Sequence, residues 1–117
     1  MNKIYFLSTC DTCKRIIKEL GLTEKKFIFQ DIKTEKITPL QLKEMKEAAG
    51  GFEALFSRVA LKYKALDPKP SAETEFRDLI LSEYTFLKRP VILIGDKIFV
   101  GNSKGVLQEA KKELEKL

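Results

Sequence analysis

The sequence predicts an α/β fold in which a central mixed four-stranded sheet is flanked by helices and interrupted by a helical insertion. Three observations support this prediction. Residues 4–30 have the pattern strand, helix, strand, residues 38–85 have helical patterns, and residues 91–117 have the pattern of a hairpin followed by a helix. A strand–helix–strand segment predicts a parallel pair with a right-handed crossover, and a hairpin adds an antiparallel pair.

The first segment begins with a short apolar run at residues 4–7, which predicts a buried strand. Residues 11–20 predict a helix that ends at Gly21, because glycine is common just past a helix end. Residues 26–30, whose centre is the apolar run Phe27-Ile28-Phe29, predict the parallel partner strand. The apolar face of the predicted helix consists of Ile16, Ile17 and Leu20.

The middle segment predicts helices joined by breaks. Thr38 is placed to cap a helix, with Pro39 in its first turn and Gln41 completing a capping box. Residues 52–63 predict a short helix and a turn, and the prolines of residues 67–70 predict a break. Residues 72–82 predict a further helix, whose inward side chains are Phe76, Leu79 and Ile80.

The last segment predicts a hairpin and a helix. Residues 91–94 and 97–100 are strand-like runs around a Gly-Asp turn, and a helix follows near Ser103. Its apolar stripe is Leu107, Ala110, Leu114 and Leu117. We therefore expect one domain, in which residues 1–37 and 86–117 form the sheet core and residues 38–85 are a helical insertion.

Composition excludes several classes of function. The chain has 117 residues, a net charge of +5, two cysteines and no histidine. Without histidine, a Ser-His-Asp triad, a Cys-His pair and a histidine metal site are excluded. The basic residues are spread along the chain in runs of at most two, whereas nucleic-acid proteins usually cluster them, so we expect no direct nucleic-acid binding.

Hydropathy gives an expectation about location. Apolar runs reach only four residues, so we expect no membrane span and no signal peptide, and therefore a cytoplasmic protein. In that compartment, paired cysteines are more often catalytic or metal-binding than structural.

The two cysteines form the motif Cys10-Asp11-Thr12-Cys13, between the first strand and the first helix. Free backbone N–H groups and the positive end of a helix stabilise an anion at that position, and the thiolate is the reactive form of cysteine. Lys14 and Arg15 favour a Cys10 thiolate, whereas Asp11 opposes it. Cys13 lies one turn further along, within reach for a disulfide with Cys10.

Other interpretations of the pair are weaker. A structural disulfide is unusual in the cytoplasm, and a zinc site needs about four ligands, of which Cys10 and Cys13 supply two. Two inert buried cysteines are the more serious alternative. We favour a redox-active or nucleophilic Cys10 and expect no metal.

Two arginines and one proline complete the candidate site. Pro90 directly precedes a predicted strand, a position where proline costs no ladder hydrogen bond. A functional interpretation is a cis Arg89–Pro90 bond that presents backbone beside the cysteine. Arg58 and Arg89 each carry a forked pair of donors suited to an oxyanion.

Together these motifs resemble the arsenate reductase (ArsC)-like family, which also holds the Spx-type transcription regulators. The resemblance covers nearly the whole chain. Its pieces are Cys10-Asp11-Thr12-Cys13-Lys14, the segment of residues 51–58 that ends in Arg58, residues 63–66, Lys88-Arg89-Pro90-Val91 and Gly101-Asn102-Ser103.

The resemblance implies a thioredoxin-like fold with a helical insertion. It implies that Cys10 is the nucleophile, that Arg58 and Arg89 bind the oxyanion, and that Pro90 is the cis-proline facing the cysteine. We also assign Thr12 to substrate binding. The substrate would be a small oxyanion or a thiol, the protein a monomer without a bound cofactor, and the reductant glutathione, glutaredoxin or thioredoxin.

Two departures separate the chain from the family's arsenate reductases. Those proteins carry a third arginine after the hairpin, where this chain has Gly101-Asn102-Ser103. Losing a charged donor to a dianion costs about 1.5–3 kcal/mol, so we expect arsenate itself to be a poor substrate. The reductases also usually lack the second cysteine that this chain has at Cys13.

Two functions follow. The favoured one is a thiol-dependent oxidoreductase in which Cys10 attacks the substrate and Cys13 or glutathione resolves the intermediate. The alternative is an Spx-type redox-sensing regulator that binds RNA polymerase, for which the Cys-x-x-Cys pair is typical. Against this alternative, Spx-type chains tend to continue further past the last helix than Leu117.

Overall fold

The computed structural model describes residues 2–117. Over these residues it contains four strands and four α-helices, with short 3₁₀ turns between them. In chain order these are β1 (Asn2–Phe6), α1 (Asp11–Leu20), β2 (Ile28–Asp31), α2 (Pro39–Ala49), α3 (Glu73–Ser82), β3 (Val91–Ile94), β4 (Lys97–Val100) and α4 (Lys104–Leu114). Within the described residues, no helix has the length and apolar character needed to span a membrane.

The strands form one mixed sheet in the order β2-β1-β3-β4. Strand β1 pairs in parallel with β2 and antiparallel with β3, and β3 pairs antiparallel with β4. Residue Ile4 lies opposite Phe29 on one side and Ile92 on the other. The mixed four-stranded sheet and the parallel first pair predicted from the sequence are confirmed.

Two units make up the chain. The sheet unit combines residues 2–35 with Arg89–Leu117, and the inserted unit is Lys36–Lys88. All four strands lie in the sheet unit, together with α1 and α4, whereas α2 and α3 lie in the inserted unit.

The core of the sheet unit lies under α1 and α4. Both helices place their apolar stripes on the same face of the sheet, against alternating residues of β1 and β3. The buried members of this cluster are Ile4, Ile16, Leu22, Ile92, Ile94 and Leu114, with Ile17, Leu20 and Leu107 packed against them.

The ends of α1 and α2 follow the predicted signals. Helix α1 ends at Gly21, whose φ of 64° is left-handed and therefore suits glycine. Helix α2 begins with the predicted capping box, in which Thr38 Oγ1 accepts from the N–H of Gln41 at 3.1 Å and Gln41 Oε1 accepts from the N–H of Thr38 at 3.1 Å. These local predictions are confirmed.

Three boundaries differ from the predictions. Strand β2 begins at Ile28 rather than at residue 26, because the N–H of Phe27 turns back to the carbonyl of Lys25 at 2.8 Å. Strand β1 is Asn2–Phe6 rather than residues 4–7. Residues 52–63 contain a short 3₁₀ helix, Glu53–Leu55, and a turn, as predicted, before a second 3₁₀ helix begins at Leu61. Helix α4 stops at Leu114, so Leu117 leaves the predicted apolar stripe and is 69% exposed.

The first of these 3₁₀ turns is held by a distant carboxylate. Glu73 accepts hydrogen bonds from the N–H of Phe52 at 2.6 Å and from the N–H of Glu53 at 3.0 Å. Gly51 is buried beside this carboxylate, and a Cβ at that position would lie 2.9 Å from Glu73 Oε1. The turn therefore depends on a residue far away in the sequence, which no local pattern reveals.

The inserted unit has an aromatic core around Phe56, which is fully buried. The ring of Phe56 stacks on Phe86 with centroids 5.2 Å apart and meets Phe76 edge-on at 5.0 Å. Tyr63 makes a third ring contact at 5.9 Å. Phe56 also forms an isolated antiparallel bridge with Leu87, which fixes its backbone.

Candidate active site

Cys10 is the N-cap residue of α1, directly after the loop that leaves β1. Its backbone is fixed from both sides, because its N–H donates to the carbonyl of Leu7 at 3.0 Å and its own carbonyl accepts from the N–H of Lys14 at 3.2 Å. The side chain is half-buried. The sequence places a cysteine at the position where the first-turn N–H groups of a helix lack intrahelical acceptors.

This position favours the thiolate of Cys10. Burial raises the pKa of the Cys10 thiol, but the N–H and thiol of Cys13, the N–H of Thr12 and the charge of Arg89 together lower it, and the net pKa is below the usual 9.0. The first-turn groups act mainly on the anion, because a thiolate attracts N–H donors more strongly than a thiol does.

The environment of Cys13 has the opposite effect on its pKa. It is fully buried, and burial is the largest cause that raises its pKa to about 11. The neighbouring Cys10 raises the pKa of Cys13 further, since two thiolates side by side repel each other. Both thiols are free. The pair thus has one thiol that ionises more readily than usual and one that stays protonated at neutral pH.

Arg89 and Pro90 directly precede β3 in the sheet unit. The positive charge of Arg89 lowers the pKa of both cysteines, so the guanidinium lies near the pair. The Arg89–Pro90 peptide bond is cis, and the carbonyl of the buried Pro90 accepts from the N–H of Gly101 at 2.9 Å. The sheet unit therefore brings together Cys10, Thr12, Cys13 and Arg89.

Arg58 lies in the inserted unit, where its guanidinium has defined contacts. It forms an ion pair with Glu53 at 2.7 Å and lies over the ring of Phe76 at 5.4 Å from the centroid. The hydrogen bond with Glu53 is the largest cause that raises the pKa of Arg58. An anion bound by Arg58 would have to compete with this carboxylate, and the role of Arg58 toward a substrate stays a prediction.

Asp31 is a residue near the site that the sequence interpretation missed. Its carboxylate accepts from the N–H of Ser8 at 3.3 Å and from the N–H of Lys33 at 3.2 Å, and a hydrogen bond with the Ser8 side chain is the largest cause that lowers its pKa. Asp31 thereby fixes the start of the loop that carries Cys10. The available signal was its position at the end of β2, because the carboxyl ends of parallel strands meet at one edge of a sheet.

The described residues contain no cluster of three or more histidine, cysteine or acidic side chains that could hold a metal ion. The groups around Cys10 are a second thiol, backbone N–H groups and a guanidinium. Backbone N–H groups and a guanidinium are ligands for anions rather than for metal ions.

Comparison with known proteins assigns the family. The model of the ArsC family matches residues 5–110. A search of curated proteins finds no match. Among solved structures, the protein SACOL0876 from Staphylococcus aureus COL is 29% identical, with a TM-score of 0.74 over 93% of this chain and 97% of that one.

Two further structures have the same fold. An arsenate reductase (ArsC) related protein from Brucella melitensis is 24% identical, with a TM-score of 0.70 over 92% of each chain. The YffB (PA3664) protein is 23% identical, with a TM-score of 0.79 over 94% of this chain and 98% of that one. The mixed sheet and its helices have the thioredoxin-like fold of these neighbours, and the chain belongs to the ArsC family.

Proposed function

We propose that the protein is a thiol-dependent oxidoreductase in which Cys10 is the nucleophile and Cys13, or glutathione, is the resolving thiol. The observation that carries this proposal is the contrast between the two cysteines. Cys10 is half-buried at the N-cap of α1 with a lowered pKa, whereas Cys13 is fully buried beside it with a pKa of about 11.

The first step needs no histidine, because a preformed thiolate attacks without a general base. With a disulfide substrate, the Cys10 thiolate forms a new S–S bond and one substrate thiolate leaves. With an oxyanion such as arsenate, it forms an S–As bond, and one hydroxyl of the arsenate takes up a proton from the solvent and leaves as water. Arg89 and the N–H of Thr12 would stabilise negative charge next to Cys10.

In the second step, the Cys13 thiol attacks Sγ of Cys10 and its proton passes to the departing product. The bond between Cys10 and the substrate breaks, two electrons pass to the product, and Cys10 and Cys13 become a disulfide. An external thiol, glutathione, glutaredoxin or thioredoxin, then reduces that disulfide. Arg58 and Pro90 remain candidates for substrate binding in this scheme.

The pH dependence of alkylation tests the proposal. Only the thiolate reacts with iodoacetamide, so the rate at Cys10 should follow a titration with a midpoint below 9.0, measured by mass spectrometry of the modified peptide. Arg89→Gln should move that midpoint upward, because it removes a charge that lowers the pKa, whereas Arg89→Lys should move it less.

Two results would contradict the proposed roles of the two cysteines. If Cys10 reacts only at a pH above the pKa of an ordinary thiol, the site does not stabilise the Cys10 thiolate. Preferential modification of Cys13 in the folded protein would show that the assignment of the two roles is reversed.

A further inference from the structure

A groove of about 530 Å³ lies between α1 and α4, within the sheet unit. Its volume is in the range of sites that hold small molecules. The lining includes neither cysteine nor Arg89.

The lining combines leucines with charged residues, most of which are positive. Leu20 and Leu107 are partly buried against the core of the sheet unit and contribute apolar surface. The charged residues of the lining are three cations, Arg15, Lys104 and Lys111, and one carboxylate, Glu19. This composition favours a ligand that has both an apolar part and a negative charge.

The cations are available to a ligand. Arg15 pairs with Glu19 at 3.5 Å, but both side chains are more than half exposed, and such surface pairs contribute little. The α4 carboxylates Glu109 and Glu113 pair with lysines outside the groove. Within residues 2–117, neither Lys104 nor Lys111 has an ion-pair partner.

We propose that the groove between α1 and α4 binds a small amphiphilic organic anion, with its apolar body on Leu20 and Leu107 and its charged group among Arg15, Lys104 and Lys111. Desolvation of the apolar body supplies binding free energy, and the cations select an anionic over a neutral head group.

Titration with octanoate, followed by amide chemical shifts in NMR spectra, tests this proposal. We expect saturable shifts centred on residues of the groove, and affinity that falls about three- to fourfold for each methylene removed in heptanoate and hexanoate. Octanol, which keeps the chain but lacks the charge, should bind at least about tenfold more weakly.

A matched pair of variants locates the site. The double variant Lys104→Gln and Lys111→Gln should weaken octanoate binding about tenfold or more. The control double variant, Lys112→Gln and Lys116→Gln, removes the same charge from positions in and just after α4. It should change the affinity for octanoate by no more than about twofold. Equal loss in both variants, shifts outside the groove or equal binding of octanol would overturn the proposal. Binding to phosphatidylglycerol vesicles without binding of free octanoate would also overturn it, by indicating a membrane surface instead.

Discussion

Cys10→Ser should lower thiol-dependent reductase activity about a thousandfold or more, while Cys13→Ser should leave the first chemical step intact. Serine has a hydroxyl that does not ionise near neutral pH, and the sequence has no histidine to act as its base. The helix N-terminus that stabilises a thiolate at Cys10 cannot activate a hydroxyl to the same extent. The activity is measured as NADPH oxidation coupled through glutathione, glutaredoxin or thioredoxin.

The two variants separate the two steps. In Cys13→Ser the substrate should remain attached to Cys10, and mass spectrometry should detect this adduct after a single turnover. Added glutathione should restore turnover if it can replace Cys13 as the resolving thiol. In Cys10→Ser, neither the covalent adduct nor an initial burst of product should appear.

Thermal unfolding of both variants serves as the control for folding. Loss of the nucleophile should leave about a thousandth of the activity or less. If Cys10→Ser folds normally and keeps about a tenth or more, Cys10 is not the nucleophile. If Cys13→Ser loses the adduct as well as turnover, Cys13 has a role in the first step that the proposal does not include.

Phe56→Ala should destabilise the protein by about 3–5 kcal/mol. Phe56 is fully buried and makes ring contacts with Tyr63, Phe76 and Phe86, so its removal leaves a cavity that these rings cannot fill without moving. Urea unfolding followed by circular dichroism measures the loss as a shift in the midpoint at constant slope.

Phe29→Ala is the matched control for the aromatic truncation. Phe29 is 36% exposed and has an edge-on contact with Phe6, so its loss should cost clearly less than the loss of Phe56. If both variants lose the same free energy of unfolding, the aromatic cluster around Phe56 stabilises the fold no more than a partly exposed aromatic residue does.

Local signals made most of the fold predictable. The Gly21 end of α1, the capping box at Thr38 and the Gly-Asp hairpin each depend on neighbouring residues, and each is found where predicted. The 3₁₀ turn at residues 53–55 depends instead on the carboxylate of Glu73, and the end of α4 removes Leu117 from a stripe that its periodicity suggested. Tertiary contacts determine the structure at these positions, and a local sequence pattern does not reveal tertiary contacts.

The sequence predicts that the first-turn N–H groups of α1 stabilise a Cys10 thiolate, and these groups are among the causes that lower the Cys10 pKa. Among the charges, the sequence leaves the balance open, because Lys14 and Arg15 favour the thiolate and Asp11 opposes it. In the structure, the causes that lower the Cys10 pKa are the N–H groups of the first turn, the Cys13 thiol and Arg89, which is distant in sequence. Arg89 is the smallest of these causes. Its place near Cys10 depends on β3 lying next to β1, and that pairing follows from the fold rather than from the motif.

The strand order has a consequence for how the chain folds. Strand β1 lies between β2, which follows it closely, and β3, which follows only after the whole inserted unit. During synthesis, β1 and β2 leave the ribosome long before β3, so the centre of the sheet stays open on one side until most of the chain has emerged. Pairing across so long a separation also slows folding, because the entropy of closing the loop is lost before the contacts form. The sheet that positions Cys10 and Arg89 is therefore expected to be completed late.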